Sequence, residues 1–332
     1  MKILLTGAAG FIGSHMSNAL EADGHVVLGI DNFSDYYSVD YKKIRIGQLR
    51  KGSEPTRNVD ISDFGQLQGV FSEFRPDYVV HLAAQAGVRL NFIDSHIYVD
   101  SNVLGFYNVV RCAEEFRSEG IMFASSSSVY GDSSPTPYNE NSLSLRPKSI
   151  YGVSKLANEM FAEIQARNSK LKFRGLRFFT VYGPWGRPDM AYFRIVAAAL
   201  GKSKFSLFGD GRVKRDFTFI DDVVNTSVKL LKDLTQRNPG FNDVVNIGGS
   251  RPLDMNYLIG LIEKFTESRF DIQIEPANTS DSLITMADRT YLTSLIGDQR
   301  FTDLEDGVKQ LVTWASQENI RNAIGMWIQG SK

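Results

Sequence analysis

The spacing of three glycines near the start of the chain is the feature that most constrains its fold. Gly7, Gly10 and Gly13 lie between an apolar run, Lys2–Thr6, and a segment with helical spacing, Phe11–Asp23. A turn of this kind needs a residue without a Cβ, and it lets the backbone approach a pyrophosphate while the helix packs tightly on the strand. The N-terminus of the helix then offers free N–H groups and partial positive charge to phosphates. The pattern predicts a dinucleotide site that includes Gly7, Gly10, Phe11, Ile12 and Gly13.

An acidic residue follows the second apolar run, His25–Ile30. Asp31 stands 18 residues after Gly13. A carboxylate at this place accepts hydrogen bonds from the adenosine ribose hydroxyls and repels a 2′-phosphate, so the sequence favours NAD over NADP. The alternative is that Asp31-Asn32 forms only a turn. Asp60-Ile61, after a weaker third run, is expected to flank the adenine.

Apolar runs and helical patterns alternate through the first half of the chain. This alternation predicts an α/β fold, a Rossmann-type doubly wound parallel sheet covered on both faces. The further predicted strands are Pro55–Asp60, Tyr78–Ala83, Ile121–Ser125 and Phe173–Phe178. The predicted helices are Phe64–Phe74, Val99–Arg117 and Ile150–Arg167. The polar and aromatic stretch Asn32–Ser53 is expected to be an insertion with a loop and a helix.

The alternation of strands and helices changes after Gly183-Pro184-Trp185-Gly186, where the predicted segments become shorter. Strands are predicted at Phe205–Gly209, Phe217–Ile220, Val244–Ile247 and Ile272–Glu275, and helices at Asp222–Asp233 and Met255–Thr266. We interpret this region as a smaller substrate-binding lobe interleaved with the sheet domain. Residues 1–180 are thus expected to form mainly the NAD-binding domain. Residues 181–332 are expected to form mainly the substrate lobe, with some segments returning to the sheet domain.

Composition narrows the possible partners and the compartment. The 332 residues include 37 basic and 38 acidic side chains, which argues against nucleic acid as the main partner. The single cysteine, Cys112, rules out an internal disulfide and fits the cytoplasm. No apolar run approaches the ~18 residues that span a bilayer, and the first strand leaves no room for a signal peptide. Neither a metal nor a membrane partner is predicted.

Two polar clusters indicate catalysis. Tyr151 and Lys155 are four residues apart in a predicted helix and therefore lie on one face. A phenol with a pKa near ~10 needs a positive neighbour to act as a base near neutral pH, and Lys155 together with the nicotinamide ring is the expected source. Four serines, 125–128, follow the fifth predicted strand, at the sheet edge where ligands bind. Alternatively, the pair is an exposed helix face and the serines are a polar loop.

These motifs together resemble the extended short-chain dehydrogenase/reductase family over nearly the whole chain. They are the glycine turn, His81-Leu82-Ala83-Ala84, S-S-S-S-V-Y-G and Y-G-V-S-K. Within that family of NAD-dependent sugar-nucleotide epimerases and their relatives, three stretches are similar to UDP-glucuronate 4-epimerases. The stretches are His81–Arg89, Arg177–Met190 and Gly209–Asp222.

The resemblance implies a role for each matching residue. Tyr151 would take the proton of the sugar 4-hydroxyl, Ser126 would hydrogen-bond the same oxygen, and Lys155 would lower the tyrosine pKa and hold the nicotinamide ribose. NAD would take the C4 hydride and return it to the other face of a 4-keto sugar. Leu82, Ala83 and Ala84 would line the cofactor site. The remaining substrate contacts would come from Arg89, Ser127, Ser128, Thr180, Arg187, Arg215 and Asp281.

Several alternatives remain at this stage. A neutral or N-acetylated UDP-hexose is the nearest rival substrate. Ser127 and Ser128 replace the acids of related dehydratases and decarboxylases, which disfavours those reactions. A non-catalytic NAD-binding protein and a net-redox dehydrogenase are less favoured. Near Pro276 the glycine of the usual P-G-D turn is absent, which leaves the nucleotide contacts there open. Family members commonly pair helices, so a homodimer through Val99–Arg117 and the Tyr151 helix is expected.

Overall fold

The computed structural model describes residues 1–50, 55–87, 93–132, 134–201, 203–277 and 282–329. Its strands are β1 (Lys2–Thr6), β2 (Val26–Asp31), β3 (Arg57–Asn58), β4 (Tyr78–His81), β5 (Gly120–Ser126), β6 (Lys172–Phe178), β7 (Thr180–Tyr182), β8 (Phe205–Phe208), β9 (Lys214–Phe219), β10 (Asn242–Ile247), β11 (Pro252–Asp254) and β12 (Ile272–Glu275). Its α-helices are α1 (Phe11–Ala22), α2 (Val39–Leu49), α3 (Phe64–Phe74), α4 (His96–Tyr98), α5 (Gly105–Glu115), α6 (Ile150–Asn168), α7 (Ala191–Gly201), α8 (Ile220–Thr235), α9 (Met255–Thr266), α10 (Thr290–Ile296), α11 (Leu304–Ala315) and α12 (Glu318–Gln329).

A seven-stranded parallel sheet forms the centre of the molecule, in the order β10-β6-β5-β4-β1-β2-β3. In β1, Ile3 and Leu5 belong to the apolar cluster on one face and Leu4 to the cluster on the other, and all three are fully buried. Successive side chains of a strand point to opposite faces, so both faces must be covered by other elements. The predicted Rossmann-type α/β fold is confirmed. Its strand order reverses between β1 and β4, which is where such sheets bind ligands.

The second half of the chain contributes to more than one sheet. Strand β10 lies beside β6 at the edge of the large sheet, and Asn242 pairs in register with Phe173. Strands β11, β9 and β7 form a three-stranded sheet, and β12 pairs with β8. The division at residue 180 into a cofactor domain and a substrate lobe stays a prediction.

Two predicted elements differ from the structure. The strand predicted at Pro55–Asp60 is reduced to Arg57–Asn58. The helix predicted at Val99–Arg117 begins instead with a π-helical segment, Val99–Leu104, and continues as α5. The buried side chain of Asn102 lies in that segment; its amide nitrogen donates to Gln85 O at 3.2 Å and to Ser154 Oγ at 3.0 Å. Such local widening of a helix is frequent at functional sites, and apolar spacing carries no signal for it.

The insertion after β2 carries helix α2, which packs between the glycine turn and the second half of the chain. The fully buried Arg45 donates to the carbonyl of Ala9, to Tyr37 Oη at 2.6 Å and to Trp185 O at 3.1 Å. These bonds pair both terminal nitrogens of the buried guanidinium and so fix the insertion against the turn. Within the described ranges, no helix has both the length and the apolar character that a membrane span requires.

Candidate active site

The glycine turn forms a cradle without room for side chains. Gly7 has a φ of +71°, and a Cβ there would lie 2.6 Å from Ala83 N. A Cβ on Gly13 would lie 2.0 Å from Gly7 O. Gly10 caps helix α1 without a side-chain hydrogen bond, so the first N–H groups of the helix face the turn. This arrangement fits a pyrophosphate, because the backbone can approach it closely and donate to it.

Asp31 serves the turn and also borders the site. Its carboxylate accepts from Ala9 N at 3.0 Å and from Phe33 N at 2.8 Å, which ties β2 to the glycine turn. Asn32 donates to Asp60 Oδ2 at 2.9 Å. Burial raises the pKa of Asp60, but hydrogen bonds from Asn32 and from Ser62 outweigh it and leave this pKa below its usual value. Asp31 can therefore both form the turn with Asn32 and border a ribose site, the two roles that the sequence offered as alternatives.

One cavity brings most of the predicted site residues together at the C-terminal edge of the large sheet. It is lined by the predicted cofactor residues Gly7, Gly10, Phe11, Ile12, Gly13, Asp31, Asn32, Asp60, Ile61, Leu82, Ala83 and Ala84. The same cavity is lined by Ser126, Tyr151, Lys155 and Arg187. Because a nucleotide site and a tyrosine–lysine pair share one cavity, a bound dinucleotide and a second ligand can meet there.

Four other predicted substrate residues, all within the described ranges, do not line this cavity. Ser127 and Ser128 belong to a 3₁₀ turn after β5, Thr180 begins β7, and Arg215 lies on β9, where Nη1 donates to Ser282 O at 2.6 Å. Arg89 and Asp281 lie outside the described residues. The substrate roles of all these residues stay predictions.

Helix α6 places Tyr151 beside the serine strand. The Ser149 side chain accepts from Gly152 N at 3.1 Å and so begins the helix immediately before the tyrosine. A Cβ on Gly152 would lie 2.7 Å from Ser128 O, so glycine allows the first turn of α6 to approach the serine turn. This close approach puts the first turn of α6 beside the serine turn, and Tyr151 and Ser126 line the same cavity.

A buried ion pair fixes the same helix further along. Both nitrogens of one edge of the Arg177 guanidinium bond Glu159, Nε to Oε1 at 2.8 Å and Nη2 to Oε2 at 2.7 Å. Ser125 Oγ donates to the same carboxylate at 2.5 Å. These bonds join α6 to β5 and β6, and charge-assisted bidentate pairs have little geometric freedom. The orientation of Tyr151 and Lys155 is therefore set by the sheet.

Lys155 is buried one turn after Tyr151 in helix α6. Its Nζ donates to the carbonyl of Ala124 at 2.9 Å, and its side chain is 1% exposed. Burial lowers the pKa of Lys155 to about 8, so the amine is mostly an ammonium near neutral pH. A cation at this depth is available to a phenolate, to a ribose hydroxyl, or to both.

The ionisation of Tyr151 depends on its neighbours. Burial raises the pKa of Tyr151 above its usual value, and the positive charge of Arg187 together with the neighbouring Ser126 side chain offsets this only in part. Lys155, which the sequence analysis expected to lower this pKa, has its Nζ 5.9 Å from the centre of the tyrosine ring. That role of Lys155 stays a prediction, and the structure adds Arg187 as a second cation acting on the phenol.

Several residues of the site were not singled out from the sequence, and three polar ones at or next to the cavity matter for its charge. Tyr36 and Lys42 of the insertion line the cavity, and Lys42 Nζ donates to Ser34 O at 2.7 Å. Asp189 forms a bidentate ion pair with Arg187. The insertion carried no signal beyond its aromatic and polar composition, whereas Asp189 stands only two residues after a predicted site arginine. Its charge was the one available signal.

Fold and site together define a class of protein. A glycine cradle at the switch point of a parallel sheet takes a dinucleotide, and a tyrosine beside a buried lysine and a serine handles the proton of a hydroxyl group. This combination is that of a nicotinamide-dependent enzyme acting at a carbinol carbon.

Comparison with known proteins agrees with this class. Residues 3–248 match the family described as the NAD dependent epimerase/dehydratase family. UDP-glucuronate 4-epimerase 5 of Arabidopsis thaliana is 36% identical, with 95% of this chain and 75% of the relative covered. The crystal structure of UDP-glucuronic acid 4-epimerase from Bacillus cereus in complex with UDP-glucuronic acid and NAD has a TM-score of 0.87 at 33% identity. It covers 95% of this chain and 98% of its own. The UDP-glucose 4-epimerase of Thermotoga maritima with UDP-glucose has a TM-score of 0.85 at 28% identity, with the same two coverages.

The chain belongs to the NAD dependent epimerase/dehydratase family. The resemblance to extended short-chain dehydrogenases/reductases, and within them to UDP-glucuronate 4-epimerases, is confirmed. The prediction of NAD as cofactor and the prediction of an enzyme of the isomerase class are confirmed as well. The Cβ-free turn and the open helix N-terminus fit this cofactor.

Proposed function

We propose that the protein interconverts UDP-glucuronate and UDP-galacturonate by reversing the configuration at C4. The observation that carries this proposal is that Arg187 lines the same cavity as Tyr151 and acts on the charge of its phenol. A guanidinium beside the base suits a sugar with a carboxylate, because its paired donors match carboxylate oxygens. The similarity to UDP-glucuronate 4-epimerases supports the same substrate.

The proton of the sugar 4-hydroxyl is taken by Tyr151 in this proposal. Ser126, which lines the same cavity as Tyr151, holds the same sugar oxygen. Lys155 is fixed on Ala124 O, where its ammonium can stabilise the phenolate and hold the nicotinamide ribose. When bound, NAD supplies reversible hydride transfer at C4, so that the sugar passes through a 4-keto form. General acid–base catalysis of this kind contributes about 10²- to 10⁴-fold to a rate.

A 4-keto uronate is a β-keto acid and tends to lose CO₂. Decarboxylation needs the carboxylate charge to delocalise toward the ketone, so charge-assisted hydrogen bonds to the carboxylate oppose it. Arg187 is the candidate on the cavity wall. Ser127, Ser128 and Thr180 are further candidates. Arg215, on β9, is proposed to contact the diphosphate. Weakening the hydrogen bonds to the substrate carboxylate is expected to slow epimerisation and to release a UDP-pentose.

The second candidate function is 4-epimerisation of a neutral or N-acetylated UDP-hexose. It is favoured by the structural similarity to the Thermotoga maritima UDP-glucose 4-epimerase. Asp189 already pairs the Arg187 charge, but a neutral sugar would offer no carboxylate to the guanidinium donors that Asp189 leaves over. The acid sugar therefore accounts for more of the site.

A substrate panel tests the proposal. The purified protein is incubated without added coenzyme with UDP-glucuronate, UDP-glucose or UDP-N-acetylglucosamine, and the products are resolved by NMR. We expect UDP-galacturonate from the first nucleotide and at least about tenfold slower turnover of the others. Thr180→Val is expected to slow epimerisation and to add a pentose product. Faster epimerisation of UDP-glucose than of UDP-glucuronate would overturn the substrate assignment.

We also propose that two copies pair through α5 and α6. These helices expose large apolar side chains on one surface, and the rings of Tyr107 and Phe161 lie 6.4 Å apart there. Ile164 is 57% exposed beside them. Burying such a surface against a second copy gains about 25 cal/mol per Å² of apolar area. Sedimentation of the wild type as a dimer and of Ile164→Glu as a monomer would support this; a monomeric wild type would contradict it.

The cytoplasm is the compartment we propose. Cys112 is buried and carries a thiol whose pKa burial raises to about 12, so it is an inert core residue. A single unreactive thiol suits a reducing compartment.

A further inference from the structure

One edge of the Arg187 guanidinium is occupied by a neighbouring carboxylate. Arg187 Nε donates to Asp189 Oδ1 at 3.0 Å, and Nη2 donates to Oδ2 at 2.6 Å. Burial lowers the pKa of Arg187, but Asp189 outweighs this effect and raises it above its usual value, so the group stays a cation. An arginine has five N–H donors in a planar fork. A bidentate pair on the Nε–Nη2 edge leaves the Nη1–Nη2 edge for a second carboxylate.

A residue of the insertion after β2 in turn bonds the Asp189 carboxylate. The hydroxyl of Tyr36 donates to Asp189 Oδ2 at 3.3 Å, across 153 residues of sequence. Gly87 makes room for this hydroxyl, since a Cβ on Gly87 would lie 2.3 Å from Tyr36 Oη. The side chain of Asp189 is 13% exposed and that of Arg187 is 23% exposed. The carboxylate is thus fixed on two sides and has little freedom to leave the arginine.

The three residues have different relations to the cavity. Tyr36 and Arg187 line the cavity. Asp189 bonds Arg187 but does not itself line the cavity. A free arginine side chain has about 2 kcal/mol of rotamer entropy to lose on binding. A partner that orders it beforehand removes much of that cost and fixes the direction of the remaining donors.

We propose that Asp189 is a positioning residue that holds Arg187 ready for the carboxylate of a nucleoside-diphosphate uronic acid. This inference rests on the function proposed above and deepens it. The substrate carboxylate takes the Nη1–Nη2 edge while Asp189 keeps the Nε–Nη2 edge. Selectivity for an acid sugar then depends on a residue that does not touch the sugar, and Tyr36 contributes through the same chain of hydrogen bonds.

The test is a double-mutant cycle read by ligand binding. Wild type, Asp189→Asn, Arg187→Met and the double variant are prepared with NAD bound, and the dissociation constants of UDP-glucuronate and UDP-glucose are measured by calorimetry. Asp189→Asn is expected to weaken UDP-glucuronate binding by about tenfold and UDP-glucose binding by less than about twofold. In the Arg187→Met background the same change is expected to have no further effect, because Asp189 acts through the arginine.

Controls separate this role from a structural one. Glu73→Gln removes a carboxylate from the surface pair with Arg57 and is expected to leave both dissociation constants unchanged. Tyr36→Phe, which keeps the ring, is expected to weaken UDP-glucuronate alone by about two- to threefold, and it replaces Asp189→Asn if that variant does not fold. The amount of UDP-pentose formed per turnover is also expected to rise in both variants.

Two results would overturn the role of Asp189. One is an equal loss of affinity for both nucleotides in Asp189→Asn. The other is a loss that persists in full when Arg187 is already methionine, because Asp189 would then act independently. Failure of the underlying function looks different: the wild type would bind UDP-glucose as tightly as UDP-glucuronate. That outcome would remove the basis for this inference as well.

Discussion

The ammonium of Lys155 lies 5.9 Å from the centre of the Tyr151 ring and donates its hydrogen bond to the backbone carbonyl of Ala124. The lysine is thus held by strand β5, on a helix face shared with the tyrosine. A second cation, Arg187, lines the same cavity from the other half of the chain, and its charge lowers the pKa of the phenol. Two positive charges carried by different segments of the sequence thus lie in the cavity that holds the base.

The first prediction concerns the cost of the buried lysine. Burial lowers the pKa of Lys155 from 10.5 to about 8, so protonation near pH 7 favours the unfolded chain. In the coenzyme-free protein, Lys155→Met is expected to raise the free energy of unfolding by about 2–3 kcal/mol at neutral pH. The gain should be fully present below pH about 8 and vanish as the pH rises to 10.5. Urea denaturation at several pH values measures it.

A second lysine provides the matched control for this stability effect. Lys172 is also buried, but its ammonium bonds Tyr78 Oη at 3.0 Å and Thr235 O at 3.0 Å and lies 3.6 Å from Glu119. Lys172→Met is expected to destabilise the protein by about 1–3 kcal/mol, because its partners lose their donor. If Lys155→Met also lowered stability near pH 7, the buried ammonium would not destabilise the folded protein as its lowered pKa implies.

The second prediction concerns the catalytic hydroxyl. Tyr151→Phe removes the proton acceptor and keeps the ring, so turnover of UDP-glucuronate is expected to fall by at least about 100-fold. Bound NAD, measured by its absorbance after release, should stay at the wild-type level. Tyr107→Phe, on the exposed face of α5, is the control and should turn over like the wild type. Loss of bound NAD together with activity would point to a folding defect instead.

The third prediction concerns pH. Catalysis needs the phenolate, and the positive charge of Arg187 lowers the pKa of Tyr151. Replacing Arg187 by methionine raises that pKa, so the acidic limb of kcat/KM should move to higher pH. Arg187→Lys keeps the charge and should move it less. An acidic limb that stays in place in Arg187→Met would show that the arginine does not act on the base.

Local patterns account for what the sequence predicted well. The bounds of Phe64–Phe74 and Met255–Thr266 agree with α3 and α9 because apolar spacing within a helix is a local property. The glycine turn was found for the same reason: its three glycines and its flanking strand and helix are contiguous. The sequence predicted one helix over Val99–Arg117 but not the π-helical form of Val99–Leu104, where Asn102 bonds residues of other segments.

Long-range partners account for what the sequence could not supply. The side chain of Tyr36 meets Asp189 across 153 residues, and Lys155 meets a backbone carbonyl 31 residues away. A carbonyl is present at every position and leaves no mark in the sequence. The sequence placed Arg187 in the site by its motif, but it gave no sign that a carboxylate holds one edge of the guanidinium. Such relations follow from the sheet order, which joins distant segments at one edge.

The last prediction tests the glycine turn itself. A methyl group on Gly13 would lie 2.0 Å from Gly7 O and 2.9 Å from Gly7 C, both backbone atoms of the turn that cannot rotate away. Gly13→Ala is expected to cost about 2–3 kcal/mol of folding free energy and to weaken NAD binding by at least about tenfold, because the turn must open. Gly69→Ala, in α3, meets no atom within 4 Å and should stabilise the protein by about 0.5–1 kcal/mol. Denaturant midpoints and NAD titrations of the two variants separate the effects. If Gly13→Ala bound NAD like Gly69→Ala, the close contact of the turn would not be what forms the cofactor site.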